Sequence, residues 1–190
     1  MNFVVIGTDH RAQTSDCGLE ALVRALLNRS HFEPLVAIAE EWHEENGQSI
    51  CQGLADEHGL RWYNPDMTTE EQRAAGILDE QKARRRLGGA FRVPSDEVRE
   101  TAWVNKLSQS GEGTTFVICG YLHFESLVAK LRAKGHGIDT RVYLGVVPEI
   151  TSLSSEELKK KTAQDDGAHG PAFSEHDPSP RSKCDTPRGV

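Results

Sequence analysis

The sequence predicts a three-layer α/β fold, in which a mostly parallel central sheet carries helices on both faces. Short apolar runs alternate with segments of helical periodicity over residues 3–144, a pattern typical of βαβ units. The strand-length runs are almost wholly apolar, as expected of strands that are covered on both faces. A chain of 190 residues is long enough for one domain with a sizeable core. We therefore expect a single α/β domain over residues 1–150.

In the first part of this domain, the sequence predicts three strands separated by two helices. In chain order they are a strand at residues 3–6, a helix at 15–29, a strand at 35–39, a helix at 47–58 and a strand at 60–63. The first strand ends at Gly7, and Ser15 or Asp16 is suited to cap the first helix, whose leucines share one face. Asn64-Pro65 closes the third strand.

In the second part of the domain, the sequence predicts three helices and two strands. They are helices at residues 68–86 and 94–108, a strand at 115–119, a helix at 124–133 and a strand at 138–144. The first of these helices is polar throughout. In the second, apolar spacing predicts burial of Val98, Trp103, Val104 and Leu107.

Residues 151–190 differ from the rest in composition. They hold four of the eight prolines and almost no large apolar residues. Residues 154–161 have the capping and charge pattern of one or two helical turns. The remainder buries too little apolar surface to offset the entropy of ordering it. We therefore expect a polar, largely disordered C-terminal tail.

Charge and hydropathy narrow the class of protein. The net charge of -7 argues against a general nucleic-acid binder. The longest apolar run, residues 35–39, is far too short to cross a bilayer, and the first residues lack the basic region of a signal peptide. Four scattered cysteines with no Cys-x-x-Cys pair predict reduced thiols. We therefore expect a cytoplasmic protein with no nucleic-acid or membrane partner, and the sequence does not specify its oligomeric state.

Polar residues follow four of the predicted strands at the point where each strand ends. In chain order these residues are His10 in Gly7-Thr8-Asp9-His10, then Glu40 and Glu41, then Asp66, then His123 in Gly120-Tyr121-Leu122-His123. Ligands of open parallel sheets bind at the carboxyl ends of the strands. We therefore expect a shared site at this edge that includes both histidines.

Two chemistries suit such a set of side chains. Imidazoles and carboxylates bind divalent transition metals such as manganese, iron, cobalt or zinc. The same groups also act as general acid and base without a metal. A plainer interpretation remains open, in which each histidine is a polar turn residue, Glu40 and Glu41 are solvated, and Asp9 only holds its loop.

Arginines provide two further candidates, each with a structural alternative. Arg99 and Glu100 are either a surface pair beside a core Trp103, or Arg99 is aimed at an anionic substrate group. The run 84–86, three arginines, is typical of a solvated helix end, with an anion-binding patch as the second interpretation. The sequence contains no G-x-S-x-G, P-loop or H-E-x-x-H motif, and Cys119 is expected to pack in a strand rather than act as a nucleophile.

Four short motifs together resemble a known superfamily. They are VVIGTDH at residues 4–10, LVAIAEE at 35–41, RETAWVNKL at 99–107 and FVICGYLHFESL at 116–127. A strand ending in Gly-x-x-His, a strand running into Glu, a helix bearing Arg and a late strand ending in Gly-x-x-His resemble the Tiki/TraB/GumN/PrgY superfamily. Its wider relatives include the erythromycin esterase and ChaN-like proteins, and this chain looks like a small bacterial-type member.

The resemblance implies an α/β fold with one central site, which in the Tiki branch is that of a metal-dependent protease. Carried over, it makes His10, His123 and Glu40 the candidate metal ligands. Glu40 or Glu41 would be the acid/base group, and Arg99 a supporting catalytic residue.

We therefore expect a metal-assisted hydrolase of peptidase or esterase type, acting on a small-molecule or peptide substrate. A bound divalent ion (Mn, Zn, Co or Fe) would lower the pKa of a water molecule, and Arg99 would stabilise developing negative charge. A metal-free form stays within this class, with histidine and glutamate activating water directly. The alternatives are a non-catalytic protein that binds a small anionic ligand or a metal in the same pocket and, less favoured, an interaction module with an acidic surface.

Overall fold

Five parallel strands form the centre of the computed structural model, which describes residues 1–29, 34–42, 46–88, 91–143 and 151–168. The strand order is β3-β2-β5-β1-β6, and a second sheet pairs β4 with β7. The strands are β1 (Asn2–Thr8), β2 (Leu35–Glu40), β3 (Arg61–Tyr63), β4 (Phe91–Arg92), β5 (Thr114–Gly120), β6 (Gly137–Val142) and β7 (Thr151–Ser152). The helices are α1 (Ala12–Ser15), α2 (Cys17–Leu27), α3 (Ile50–Glu57), α4 (Thr69–Ala74), α5 (Leu78–Arg86), α6 (Pro94–Leu107), α7 (Tyr121–Ala133) and α8 (Ser155–Ala168).

The two faces of the large sheet bury separate apolar clusters. One cluster packs the sheet against α2 and α3, and the other packs it against α6 and α7. Side chains alternate between the two along each strand, so that in β2 Ile38 lies in the first cluster and Ala39 in the second. This arrangement confirms the predicted three-layer α/β fold with a parallel central sheet.

Local sequence signals set several helix ends. Asp16 caps α2 by accepting hydrogen bonds from the backbone N–H groups of Gly18 (2.7 Å) and Leu19 (3.1 Å). The predicted single helix at 68–86 is two helices, α4 and α5. Gly76 (φ 70°) ends α4 in a Schellman motif, in which the N–H of Ile77 donates to the carbonyl of Gln72 (3.0 Å).

In helix α6, the burial predicted from apolar spacing is confirmed for three of four residues. Trp103, Val104 and Leu107 are buried as expected, but Val98 is 41% exposed. Charged residues of α6, described below, occupy the buried face beside the sheet instead. The prediction for Val98 was wrong because the helix turns a polar stripe, rather than an apolar one, toward the strand ends.

Residues 151–168 differ from the expected tail. Thr151–Ser152 pairs with Phe91–Arg92, and Leu158 of α8 is buried against Phe91 and Val93. Strand pairing, the burial of Leu158 with Leu153 packed beside it, and a hydrogen bond from Ser155 to Glu80 hold this segment on the domain, which the polar composition did not suggest. The rest of the predicted tail, residues 169–190, lies outside the described residues.

Two further expectations concern membranes and thiols. Within the described ranges no helix has both the length and the apolar character needed to cross a bilayer. Cys51 and Cys119 are free and buried. Cys17 is disulfide-bonded, which contradicts the prediction that all four cysteines are reduced thiols.

Candidate functional site

Three neighbouring strands bring the predicted residues together at one edge of the sheet. Strand β5 lies between β1 and β2, so His10, which follows β1, and Glu41, which follows β2, converge over the end of β5. Glu41 extends the strand pairing, because its backbone N–H donates to the carbonyl of Ile118 (2.9 Å). Its carboxylate then turns over the sheet edge, where Oε2 accepts from the backbone N–H of Gly120 (2.9 Å).

Glu41 lies between the two histidines of the Gly-x-x-His motifs. Its Oε2 is 3.5 Å from Nε2 of His10, and its Oε1 is 3.5 Å from Nε2 of His123. The carboxylate is buried, with 2% of the side chain exposed. The expectation that both histidines share one site therefore matches the geometry, and Glu41 is the group that joins them.

The glycine of each motif lies against a residue that belongs to the other motif or directly follows it. A Cβ on Gly120 would lie 2.6 Å from Nε2 of His10, and a Cβ on Gly7 would lie 2.8 Å from the ring of Phe124, which follows His123. A real Cβ does not approach other atoms so closely. Gly7 is therefore required by its packing against Phe124, and a side chain at Gly120 would displace the ring of His10 from its position beside Glu41.

His10 is the exposed member of the pair. Its side chain is 47% exposed, and its Nδ1 lies 2.8 Å from Oε1 of Gln13, a buried residue of α1. The side-chain Nε2 of Gln13 donates to the backbone carbonyl of Glu41 (3.4 Å), which leaves its Oε1 to accept from Nδ1–H of His10. With Gln13 in this orientation, the proton of a neutral His10 is placed on Nδ1, and Nε2 faces Glu41.

His123 is buried and held on all sides. Its Nδ1 lies 2.9 Å from Oε1 of Glu100, and its ring packs against the ring of Trp103 with centroids 4.8 Å apart. Arg92 donates to the same Glu100 oxygen (2.6 Å), and Ser126 donates to the other oxygen (2.5 Å). His123 therefore connects Glu41 to a second buried carboxylate rather than to solvent.

Arg99 of α6 is a fully engaged buried cation. Its Nη2 donates to Oε1 of Glu41 (3.1 Å), its Nε donates to Asp66 (3.1 Å), and its Nη1 donates to Oε1 of Gln81 (3.2 Å). A second bond from Nη2 makes the contact with Asp66 bidentate, and Trp103 also donates to Asp66 (2.8 Å). Since Arg99 is only 1% exposed, it holds Glu41 in place from beneath and does not reach toward a substrate.

The electrostatics of the site keep two buried carboxylates ionised. Burial alone would raise the pKa of Glu41, but His123, His10 and Arg99 outweigh it and hold that pKa well below its usual range. Burial likewise opposes ionisation of Glu100, yet the hydrogen bonds from His123, Arg92 and Ser126 lower its pKa to about 2. Both groups therefore carry charge at neutral pH.

Glu40 is not part of this arrangement, because strand alternation directs it to the opposite face of the sheet. Its carboxylate accepts hydrogen bonds from Ser49 and from Nε1 of Trp62 (3.0 Å), next to the thiol of Cys51. Burial raises its pKa to about 7. The three predicted metal ligands, His10, His123 and Glu40, therefore do not lie together. The two histidines lie beside Glu41, whereas Glu40 is on the opposite face of the sheet.

The donor atoms fit a divalent ion poorly. In the described ranges, no group of three or more His, Cys, Asp or Glu side chains is arranged to hold a metal. The atoms that a metal would need, Oε1 of Glu41 and Nε2 of His123, both lie beside the guanidinium of Arg99, at 3.1 and 3.4 Å. A cation already occupies this position, so we derive no chemical step through a metal.

Several members of the network were not singled out as site residues in the sequence. They are Gln13, Gln81, Asp96 and Glu100, each buried and hydrogen-bonded to another polar side chain of the cluster. Arg99 and Glu100 follow Asp96 in α6 by three and four residues, so that the three lie on one face of the helix, and Trp103 follows at the next turn. A charged stripe at the spacing usually taken by apolar residues was the available signal.

The fold and this edge define a class: an α/β protein with a buried, charged network at the carboxyl ends of three parallel strands. Comparison with protein-family models, with curated proteins and with solved structures gave no match. The resemblance to the Tiki/TraB superfamily therefore stays a prediction, based on the four motifs.

Proposed function

We propose that the protein is a hydrolase of esterase or peptidase type, in which His10 activates a water molecule with the help of Glu41. The observation that carries this proposal is the pairing of a half-exposed imidazole with a buried, ionised carboxylate at the carboxyl edge of the sheet. A general base needs access to its substrate and a group that stabilises the proton it accepts. His10 has the first through its exposure and the second through Glu41.

The proton follows from the hydrogen bonds of His10. With Nδ1–H donated to Gln13, the neutral ring keeps a lone pair on Nε2. A water molecule attacking an ester or amide carbonyl passes its proton to this nitrogen, and the same proton then protonates the leaving group. The imidazolium formed between these steps is stabilised by Oε2 of Glu41, 3.5 Å from Nε2.

The remaining residues position this pair. The backbone N–H of Gly120 and the guanidinium of Arg99 fix the Glu41 carboxylate, and His123 fixes its other side. In this proposal Arg99 is a positioning residue, in place of the predicted role of stabilising developing negative charge, because it is buried and bonded to Glu41, Asp66 and Gln81. Cys119 supplies no nucleophile, because it is fully buried and burial raises the pKa of its thiol.

The substrate in this proposal is a small ester, amide or peptide, and no nucleic acid is involved, in line with the net charge of -7. A cytoplasmic location stays a prediction, and the disulfide of Cys17 does not support it. Divalent metals enter as an arm of the experiment, since the resemblance implies one and the donor atoms already contact Arg99.

The test is a hydrolysis screen with p-nitrophenyl esters and fluorogenic peptides, comparing wild type with His10→Asn. We expect His10→Asn to lower kcat/KM by about a hundredfold to ten-thousandfold. The fold should remain, because the side chain is half-exposed. His58→Asn is the matched control, since His58 is exposed at the end of α3; its activity should equal that of wild type.

Chelator and metal addition separate the two forms of the hypothesis. The metal-free form requires full activity in EDTA, whereas activity that appears only with added Mn, Zn, Co or Fe supports the metal-assisted form and contradicts our mechanism. Equal rates for wild type and His10→Asn would reject the site. Absence of turnover on every substrate, together with saturable binding of small anions, would favour the non-catalytic alternative.

A further inference from the structure

One arginine of the run 84–86 is buried, unlike its two neighbours. Arg84 of α5 is only 8% exposed, whereas Arg85 and Arg86 are exposed. The prediction of a solvated helix end therefore holds for two of the three residues. Arg84 instead faces inward, toward the charged residues beneath the sheet edge.

Two of the three guanidinium nitrogens of Arg84 lack a hydrogen-bond partner among the described residues. Its Nε and Nη1 are buried and have no hydrogen-bond partner in the described part of the chain. Nη1 lies 3.4 Å from Oδ1 of Asp96, an ion pair without hydrogen-bond geometry, and that oxygen already accepts from Gln81 (3.0 Å). Arg99, buried a few ångströms away, is the contrast, because each of its nitrogens donates to an oxygen.

Arg84 is connected to the candidate site by a short series of charges. Asp96 lies between the two arginines, with its Oδ1 3.4 Å from Arg84 and 3.6 Å from Nη1 of Arg99. Arg99 in turn contacts Glu41 at 3.1 Å. Burial lowers the pKa of Arg84, the charges of Asp96 and Glu41 favour its cationic form, and those of Arg99 and Arg85 oppose it.

Buried donors without partners are costly, particularly on a charged group, and native proteins keep them where a ligand or a water molecule completes the bonding. The group that best accepts the unused hydrogen bonds of a guanidinium is an oxyanion, and Arg84 lies near the network of Glu41 and His10. We propose that Arg84 binds an anionic group, carboxylate or phosphate, of the molecule on which the site acts.

This inference rests on the proposed function only for the role of the bound molecule as a substrate. Anion binding by Arg84 is measurable without turnover, so the two proposals can fail separately. A hydrolase whose Arg84 does not bind anions would lose this inference alone. An anion-binding protein without turnover would lose the proposed function alone.

The experiment titrates inorganic phosphate and, in a separate arm, acetate into the full chain, with binding followed by calorimetry and by thermal shift. We expect at least one of the two probes to bind saturably and raise Tm. Arg84→Gln should weaken that binding by roughly tenfold to a hundredfold, the value of a charge-assisted hydrogen bond. Arg85→Gln is the matched control, since it removes the same charge from the next residue of the same helix.

Three outcomes would overturn the proposal. One is that neither probe binds, which would leave Arg84 to ordered water. Another is equal binding by wild type and Arg84→Gln. The third is loss of binding in Arg85→Gln but not in Arg84→Gln, which would place the anion in the cavity of about 530 Å³ that Arg85 lines beside Lys106.

A measurement on wild type covers the case in which Arg84→Gln does not fold. The Nε–H resonance of Arg84, assigned through its backbone, should shift with the phosphate or acetate concentration and saturate at the calorimetric Kd. A resonance that stays fixed while the probe binds elsewhere would contradict the proposal.

Discussion

Two adjacent glutamates, Glu40 and Glu41, have similar burial and pKa values that are shifted in opposite directions. Both side chains are at least 98% buried, and β2 directs them to opposite faces of the sheet. On the opposite face of the sheet, the hydrogen-bond partners of Glu40 are the neutral groups Ser49, Trp62 and Cys51, and burial raises its pKa to about 7. At the sheet edge, Glu41 has Arg99, two imidazoles and a backbone N–H as partners, and its pKa is held well below the usual range.

The difference teaches that burial alone does not determine the charge of a carboxyl group. Desolvation is the largest single influence on both residues and acts in the same direction. The partners decide the outcome, because cationic and hydrogen-bonding neighbours stabilise the ionised form. The comparison therefore predicts opposite responses when each carboxylate is replaced by an amide.

Glu41→Gln should have the largest effect. It removes the negative charge opposite Arg99, and the one amide oxygen can accept from Arg99 or from the backbone N–H of Gly120 but not from both, a change that costs about 3–5 kcal/mol. We expect this loss in urea unfolding at neutral pH, together with loss of hydrolytic activity. Because the pKa of Glu41 is depressed when folded, its contribution is present above the unfolded value of 4.5 and is lost as pH falls.

Glu40→Gln is the internal control for this variant, since it makes the same chemical change at the adjacent residue. At neutral pH it should not destabilise the protein. If Glu41→Gln were as stable as wild type, the carboxylate would not be a partner of Arg99, and the description of the site would be wrong.

Glu40→Gln should have its own, smaller effect on the pH dependence of stability. The pKa of Glu40 is about 7 when folded and near 4.5 when unfolded, so between these values the folded state holds a proton that the unfolded state releases. Wild-type stability should therefore fall from pH 4.5 to pH 7 by about 3 kcal/mol from this group.

The variant lacks this titration. Its free energy of unfolding should match wild type near pH 4.5 and exceed it by about 3 kcal/mol near pH 8. Since Glu41 and Glu100 are present in both proteins, the difference between the two curves isolates Glu40. Parallel curves would show that Glu40 is ionised throughout, like its neighbour.

Ser49→Ala should have the smallest effect of the three. Ser49 donates to Glu40 and also caps α3 by accepting from the backbone N–H of Gln52 (2.9 Å). Loss of the cap costs about 1 kcal/mol, and loss of the bond to Glu40 should raise the pKa of that carboxyl further. In Glu40→Gln the amide oxygen still accepts from Ser49 but does not ionise, so the cost of Ser49→Ala should not vary with pH in that background. A cost with the same pH dependence in both backgrounds would contradict the pairing of Ser49 with Glu40.

Much of the fold follows from patterns that the sequence displays directly. The apolar runs at residues 3–6, 35–39 and 115–119 predict three central strands, and Gly76 explains why one polar helix is two. The alternation of side chains along β2 also predicts that Glu40 and Glu41 face opposite sides of the sheet. That signal was present in the sequence and would have removed Glu40 from the predicted metal ligands.

The buried polar network was harder to predict. Asp96, Arg99 and Glu100 are buried while Val98 is exposed, because the charges neutralise one another through contacts with Asp66, Gln81 and His123. Those partners come from distant parts of the chain, and periodicity describes one helix at a time. The same reason hid the packing of Leu158, whose partners lie in residues 91–93.

The exchange of space between Gly120 and His10, and between Gly7 and Phe124, has a consequence for engineering. Neither Gly-x-x-His motif can be moved to another protein by itself. The space beside Gly120 is filled by His10, and the space beside Gly7 is filled by Phe124. If β1 and its motif were grafted alone into another sheet, His10 would lack the space that Gly120 provides for its ring. The smallest transplantable unit is both strands, β1 and β5, in their parallel register.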